Sequence, residues 1–143
     1  MAPNSRFTRY IDKISHCERR IENIKEWINE VDAIEDERTR LATYKAMQEV
    51  VEGLMDLLAM ILKDTKKQPK DDYTNIQLAN EEKLISKTEQ ELLNEANGLR
   101  NRLVHGYNGL NDKLVYDALT RLLPDLKELL QKVKQWSIDF FES

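Results

Sequence analysis

At 143 residues, with apolar side chains at 41% and charged ones at 34%, the chain is long enough to bury one core and too apolar for a disordered polymer. Four glycines and three prolines supply too little turn chemistry for a many-stranded fold, and a single cysteine, Cys17, excludes an internal disulfide. The net charge of −4 excludes a protein that coats long nucleic acid through phosphate contacts, so any nucleic-acid role must be local.

The first predicted helix runs from about Phe7 to Val31, where Ile11, Ile14, Ile21, Ile24, Trp27 and Ile28 recur at threes and fours. A second starts near Asp36 or Thr39, after the acids Glu35, Asp36 and Glu37 that suit a helix N-terminus, and reaches Lys63. Leu41, Tyr44, Met47, Val51, Leu54, Leu58 and Ile61 mark its expected buried face. Residues Asp64 to Tyr73 lack periodicity and read as a loop and hinge candidate. A short helix around Ile76 to Ile85 follows. The next spans Lys87 to about His105 through Leu92, Ala96, Leu99 and Leu103. The last begins at Asn111 or Asp112, both suitable N-caps, and continues through Leu119, Leu122, Leu126, Leu129, Val133 and Trp136, with a kink expected at Pro124. Four long helices and a short one make an all-α antiparallel bundle, one domain over residues 1–143.

Val50 to Leu62 is the longest apolar-rich stretch, but Glu52 and Asp56 interrupt it and it is too short for a membrane span. With the lone cysteine and no signal-peptide pattern at the start, a cytoplasmic location is expected.

The densest chemistry lies in RNRLVHGY, Arg100 to Tyr107, where a helical pattern meets a glycine. With Arg100 set at zero and about 100° per residue, Leu92, Ala96, Leu99 and Leu103 fall within roughly 60° of one another and define a core face. Asn94, Asn97, Asn101 and His105 fall on another side, at roughly 60° to 140°, and Gly98 joins them at about 160°. An outward glycine in a helix costs on the order of 1 kcal/mol unless something needs close backbone approach, so a second surface is expected there. Asn101 and His105 form an i, i+4 pair, whereas Arg100 and His105 sit roughly 140° apart and cannot share one straight face.

RNA cleavage by attack of a 2′-hydroxyl on the adjacent phosphate needs a proton acceptor, a proton donor and cationic support, and no metal. Histidine and arginine suit those roles, yet the chain has only two histidines, His105 and His16. A symmetric dimer joining two copies of the Asn94, Asn97, Gly98, Asn101, His105 face would supply two histidines and two arginines around one cleft.

These residues resemble a known family. Arg100, Asn101, His105 and Tyr107 match the HEPN motif, with Leu103, Val104 and Gly106 completing an RNxLVHGY form, and the chain is most similar to the HepT toxins, also called DUF86. The likeness covers nearly the whole chain: Arg38, Tyr44 and Gln48 precede a helix rich in Val, Met and Leu, Pro69 and Tyr73 follow in the loop, and Gly98-Leu99-Arg100-Asn101 leads into the motif. One departure is Leu99, where relatives commonly carry an aromatic residue; it concerns packing. The resemblance implies an all-α homodimer with its cleft between subunits and a metal-independent endoribonuclease without cofactor, acting on messenger RNA or tRNA. It also implies a minimal nucleotidyltransferase as antitoxin. Carried onto this sequence, Arg100 and His105 are the catalytic pair, Asn101 orients them, and Tyr107 is the acceptor for a nucleotidyl group, as in AMPylation. The added phosphate charge beside the cleft would repel RNA. The alternative is a non-catalytic helical module that binds a nucleotide or a nucleotidyltransferase.

Plainer readings accompany each feature. The Arg–His–Tyr cluster also suits a helix C-terminus, with Gly106 supplying a left-handed turn. His16, Cys17 and Glu18 are neighbours that point in different directions on a helix, so solvated or partly buried structural roles are expected for them. Met47, Met55 and Met60 read as core or interface filler.

Overall fold

The computed structural model describes residues 5–106 and 109–142. They form five helices: α1 (Ser5–Trp27), α2 (Glu37–Asp64), α3 (Asp72–Glu81), α4 (Lys87–His105) and α5 (Asp112–Glu142), and no strand occurs among them. Cross-helix pairs give the directions. Tyr10 donates to Asp64 at 2.7 Å, Lys13 meets Asp56 at 3.4 Å and Arg20 meets Glu49 at 3.3 Å, so α1 and α2 run antiparallel. Lys127 with Glu22 and Phe141 with Phe7 set α5 antiparallel to α1, and Lys132 with Glu89 and Arg121 with Glu95 set α4 antiparallel to α5. The all-α bundle expected from periodicity is the one observed.

The core forms where apolar stripes meet: Tyr10, Ile14, Cys17, Ile21 and Ile24 of α1 face Met47, Val50, Leu54 and Leu57 of α2, while Leu119, Leu122, Leu126 and Leu130 of α5 close the other side. Gly53 lets α1 and α2 approach: a Cβ there would overlap the Cys17 sulfur. α5 remains helical on both sides of Pro124, burying Leu119 and Leu126 about it. It continues through Trp136 to Glu142, and Phe141 packs on Phe7 and Tyr10 with ring centroids 5.7 and 5.6 Å apart.

Several boundaries differ from expectation for local reasons. α1 stops at Trp27 rather than Val31; Asp32 takes a φ of 61°, and Val31, the last residue of the expected helix, is 90% exposed and packs against nothing that would hold it helical. The turn is held instead by Tyr116, whose hydroxyl donates to the Ala33 carbonyl at 2.8 Å. α3 begins at Asp72 because Asp71 caps it, accepting from the Thr74 amide at 3.3 Å, and it ends at Glu81, ahead of Lys83 with a φ of 61°. The shortened loop is pinned: buried Asn75 accepts from the Lys70 amide at 2.6 Å and donates to its carbonyl at 3.0 Å, and Lys67 meets Glu82 at 3.5 Å. Leu41, expected in the core, is 57% exposed, since it borders an open groove that no helix among the described residues covers.

Candidate active site

The motif helix is well fixed at its start. Ser86 and Glu89 form a reciprocal capping box, and Glu89 also receives Lys132 at 2.8 Å. Burial works against the Glu89 charge, but the hydrogen bonds from Lys132 and from the Ser86 backbone outweigh it and hold this carboxyl below its usual range. α4 packs against α2, α3 and α5, so its buried arc is wider than a single stripe. Leu93, Ala96, Leu99 and Leu103 are buried, Leu92 only partly so, and Asn97, expected on the outward polar face, lies at 1% exposure inside the chain. Its Oδ1 has no hydrogen-bond partner among the described residues. Asn97 therefore cannot present its side chain to a second molecule as the sequence suggested; Asn94 is exposed and Gly98 half-buried.

Arg100 turns toward α2. Its Nη1 donates to Asn101 Oδ1 at 2.9 Å, its Nε stands 3.8 Å from Glu52 Oε1, and that Nε makes no hydrogen bond. His105, the last residue of α4, is exposed and makes no hydrogen bond or ion pair among the described residues. The chain thus joins Arg100 to Asn101, while His105, one turn beyond Asn101 on α4, bonds to neither among the described residues. Tyr107 lies outside the described residues.

Beyond α4 the chain turns at Gly106, whose amide donates to the Arg102 carbonyl at 2.7 Å. Its φ is −92°, so the expected left-handed turn is absent; glycine is needed because a Cβ would lie 2.5 Å from the Arg102 carbonyl oxygen and 3.2 Å from Leu110. Gly98 shows no such crowding, with 3.8 Å from a would-be Cβ to Tyr73 Oη. A groove of about 440 Å³ opens beside this turn, lined by Arg40, Leu41, Tyr44, Lys45 and Gln48 of α2 and by Leu103, Gly106, Gly109, Leu110 and Asp112. Its far wall is fixed by Tyr44, whose hydroxyl donates to Asp112, and by Arg40, 3.8 Å from the same carboxylate. Burial first, then that bond to Asp112, pushes the Tyr44 hydroxyl far above its ordinary value, so it stays a donor.

Between α1 and α2 the titratable groups bond to one another or are buried. His16 Nε2 and Glu49 Oε1 lie 2.8 Å apart, with Arg20 on the same carboxylate, and buried Cys17 has its thiol pushed up to about 12, chiefly by burial. No cluster of three or more His, Cys, Asp and Glu side chains among the described residues could hold a metal ion. Nor is any helix among them long and apolar enough to cross a membrane. Sequence reasoning missed Glu52; the signal was its spacing, one and two turns beyond Gln48 and Lys45 on α2.

Residues 14–133 match the family described as ribonuclease HepT-like. This chain belongs to that family. A candidate RNase of Archaeoglobus fulgidus is 42% identical over 114 residues, covering 80% of this chain and 83% of that protein. A second candidate RNase from the same organism is 30% identical over 126 residues, covering 88% and 91%. Among solved structures, a toxin–antitoxin complex with AMP-PNP superposes with a TM-score of 0.81 at 22% identity, over 87% of this chain and 97% of that one. A tri-AMPylated HEPN toxin of Shewanella oneidensis in complex with MNT antitoxin gives 0.81 at 23% identity, over 88% and 96%. The helical architecture of this HepT-like ribonuclease is that of the HEPN toxins.

Proposed function

We propose that this HepT-like protein is the toxin of a toxin–antitoxin pair, a metal-independent endoribonuclease whose active site forms between two copies of the chain. The observation that carries this reading is the divergence within one subunit: Arg100 and Asn101 are joined at 2.9 Å beside α2, while His105 stands exposed at the end of α4. A two-fold partner would return a second His105 and a second Arg100 across one cleft. The substrate 2′-oxygen then attacks phosphorus, a histidine takes its proton, the phosphorane charge is met by the arginines, and the 5′-oxygen leaves with a proton from the other histidine. Asn101 positions both the guanidinium and the scissile phosphate.

Control follows the solved relatives of this fold. A minimal nucleotidyltransferase is the proposed antitoxin, and Tyr107 the proposed acceptor of its nucleotidyl group; an added phosphate beside the cleft would repel the RNA backbone. Messenger RNA or tRNA is the proposed substrate, in the cytoplasm, with no metal or organic cofactor.

Purified protein should cleave cellular RNA in EDTA, and His105→Ala should abolish cleavage while remaining dimeric by sedimentation. Expression without antitoxin should halt growth, and Arg100→Ala should relieve the arrest. Co-expression with a minimal nucleotidyltransferase should add nucleotidyl mass at Tyr107, read by peptide mass spectrometry. Native protein that leaves RNA intact would favour a nucleotide- or nucleotidyltransferase-binding module instead.

A further inference from the structure

We infer that Glu52 is a positioning residue for the Arg100 guanidinium, holding it from α2 so that its outer edge faces the scissile phosphate. The inference rests on the ribonuclease reading above. On this stretch of α2 the acidic side chains have separate duties: Glu49 is taken by His16 and Arg20 of α1, Asp56 by Lys13 of α1, and Glu52 alone turns to α4, 3.8 Å from Arg100 Nε. Asn101 accepts from Nη1 at 2.9 Å, so the guanidinium is hydrogen-bonded at one corner and faces the Glu52 carboxylate at ion-pair distance at the next. Among the described residues no other group bonds Arg100, which leaves the Nη2 side open to an acceptor such as a phosphate oxygen.

The placement is informative because it opposes simple binding. A carboxylate beside a phosphate-receiving arginine weakens attraction for RNA, so it is useful only if orientation matters more than charge. The Glu52 side chain is 46% exposed and the Arg100 side chain 27%, an open pair that adds little to folding. Closure of the cleft by a second copy or by substrate would exclude water and strengthen the same pair when chemistry occurs.

The two possible roles of Glu52 move different kinetic constants. As a positioning residue, Glu52→Gln should lower kcat on the order of 10- to 100-fold, the loss expected of a misaligned group, with KM unchanged or lower. Glu52→Asp, which keeps the charge, should recover part of it, and the melting temperature should stay within a degree or two of native. In an Arg100→Ala background, Glu52→Gln should add no further loss. The Arg100 Nε–Hε resonance should shift in Glu52→Gln, a readout independent of activity. A Glu52→Gln protein with native kcat and lowered KM, or with losses that multiply those of Arg100→Ala, overturns the positioning role while leaving the ribonuclease reading intact. Native protein without RNA cleavage, or Arg100→Ala with native cleavage, overturns that reading and this role with it.

Discussion

Gly98 and Gly106 stand on either side of the stretch from Arg100 to His105 and are glycines in different surroundings. Gly106→Ala sets a Cβ 2.5 Å from a backbone carbonyl that cannot rotate away, so it should cost about 1–3 kcal/mol and shift the end of α4; urea unfolding measures this. Gly109→Ala, with nothing within 4 Å of its Cβ, should stay within about 0.5 kcal/mol of native. At Gly98 the chain itself has room for a methyl group, so alanine should stiffen α4 and stabilise the isolated subunit by up to about 1 kcal/mol. If a second copy packs on this face, the same change should weaken the dimer, which sedimentation at a series of concentrations would detect. Native dimer affinity in Gly98→Ala would place the contact elsewhere.

Among the helices, α4 owes its direction to both ends. Ser86→Ala removes one half of the capping box and should cost about 1 kcal/mol, read as a lower urea midpoint, with activity per folded molecule preserved because Arg100 lies several turns away. The α1–α2 pair depends on the contact of Gly53 with Cys17. Gly53→Ala should destabilise by about 1–3 kcal/mol, and adding Cys17→Ala, which clears the sulfur, should recover part of that loss. Thiol reagents should leave native protein unlabelled, since Cys17 is buried and its thiolate suppressed.

Across the whole molecule, pH acts through groups whose folded pKa values are displaced. Asp36 and Asp71 are held below the ordinary carboxylate range by the hydroxyls and amides of Thr39 and Thr74, and in Glu49 the bond from His16 and the charge of Arg20 overcome the opposing effect of burial. Because these folded values lie below the unfolded ones, their stabilisation is complete above a pH of about 4 and is lost as pH falls further. Tyr10 and Tyr44 are displaced upward, by burial first and then by bonds to Asp64 and Asp112, so their contribution is complete below a pH of about 10 and is lost as pH rises beyond it. Thermal unfolding across pH 2 to 11 should therefore show losses at both extremes. A midpoint that is flat below pH 4 would contradict the acid limb.

Period and capping made most of the helices readable without coordinates. Leu119, Leu122, Leu126 and Leu129 recur with a helical period and are buried, and α2, expected to start near Asp36 or Thr39 from its acids, begins at Glu37 with Asp36 as its cap. The site was legible as a set of residue types: Arg100, Asn101 and His105 stand together in the chain and suit RNA cleavage. Their surroundings were not. Asn97 sits on what one helix presents as a polar side, but three neighbouring helices enclose α4 and bury it; Leu41 keeps the core period, yet its groove has no cover. A one-dimensional pattern reports which side of its own helix a residue occupies, a local property set by backbone geometry. Which other helix lies opposite depends on long-range packing, and only that decided that Glu52 would meet Arg100 and that His105 would be left exposed.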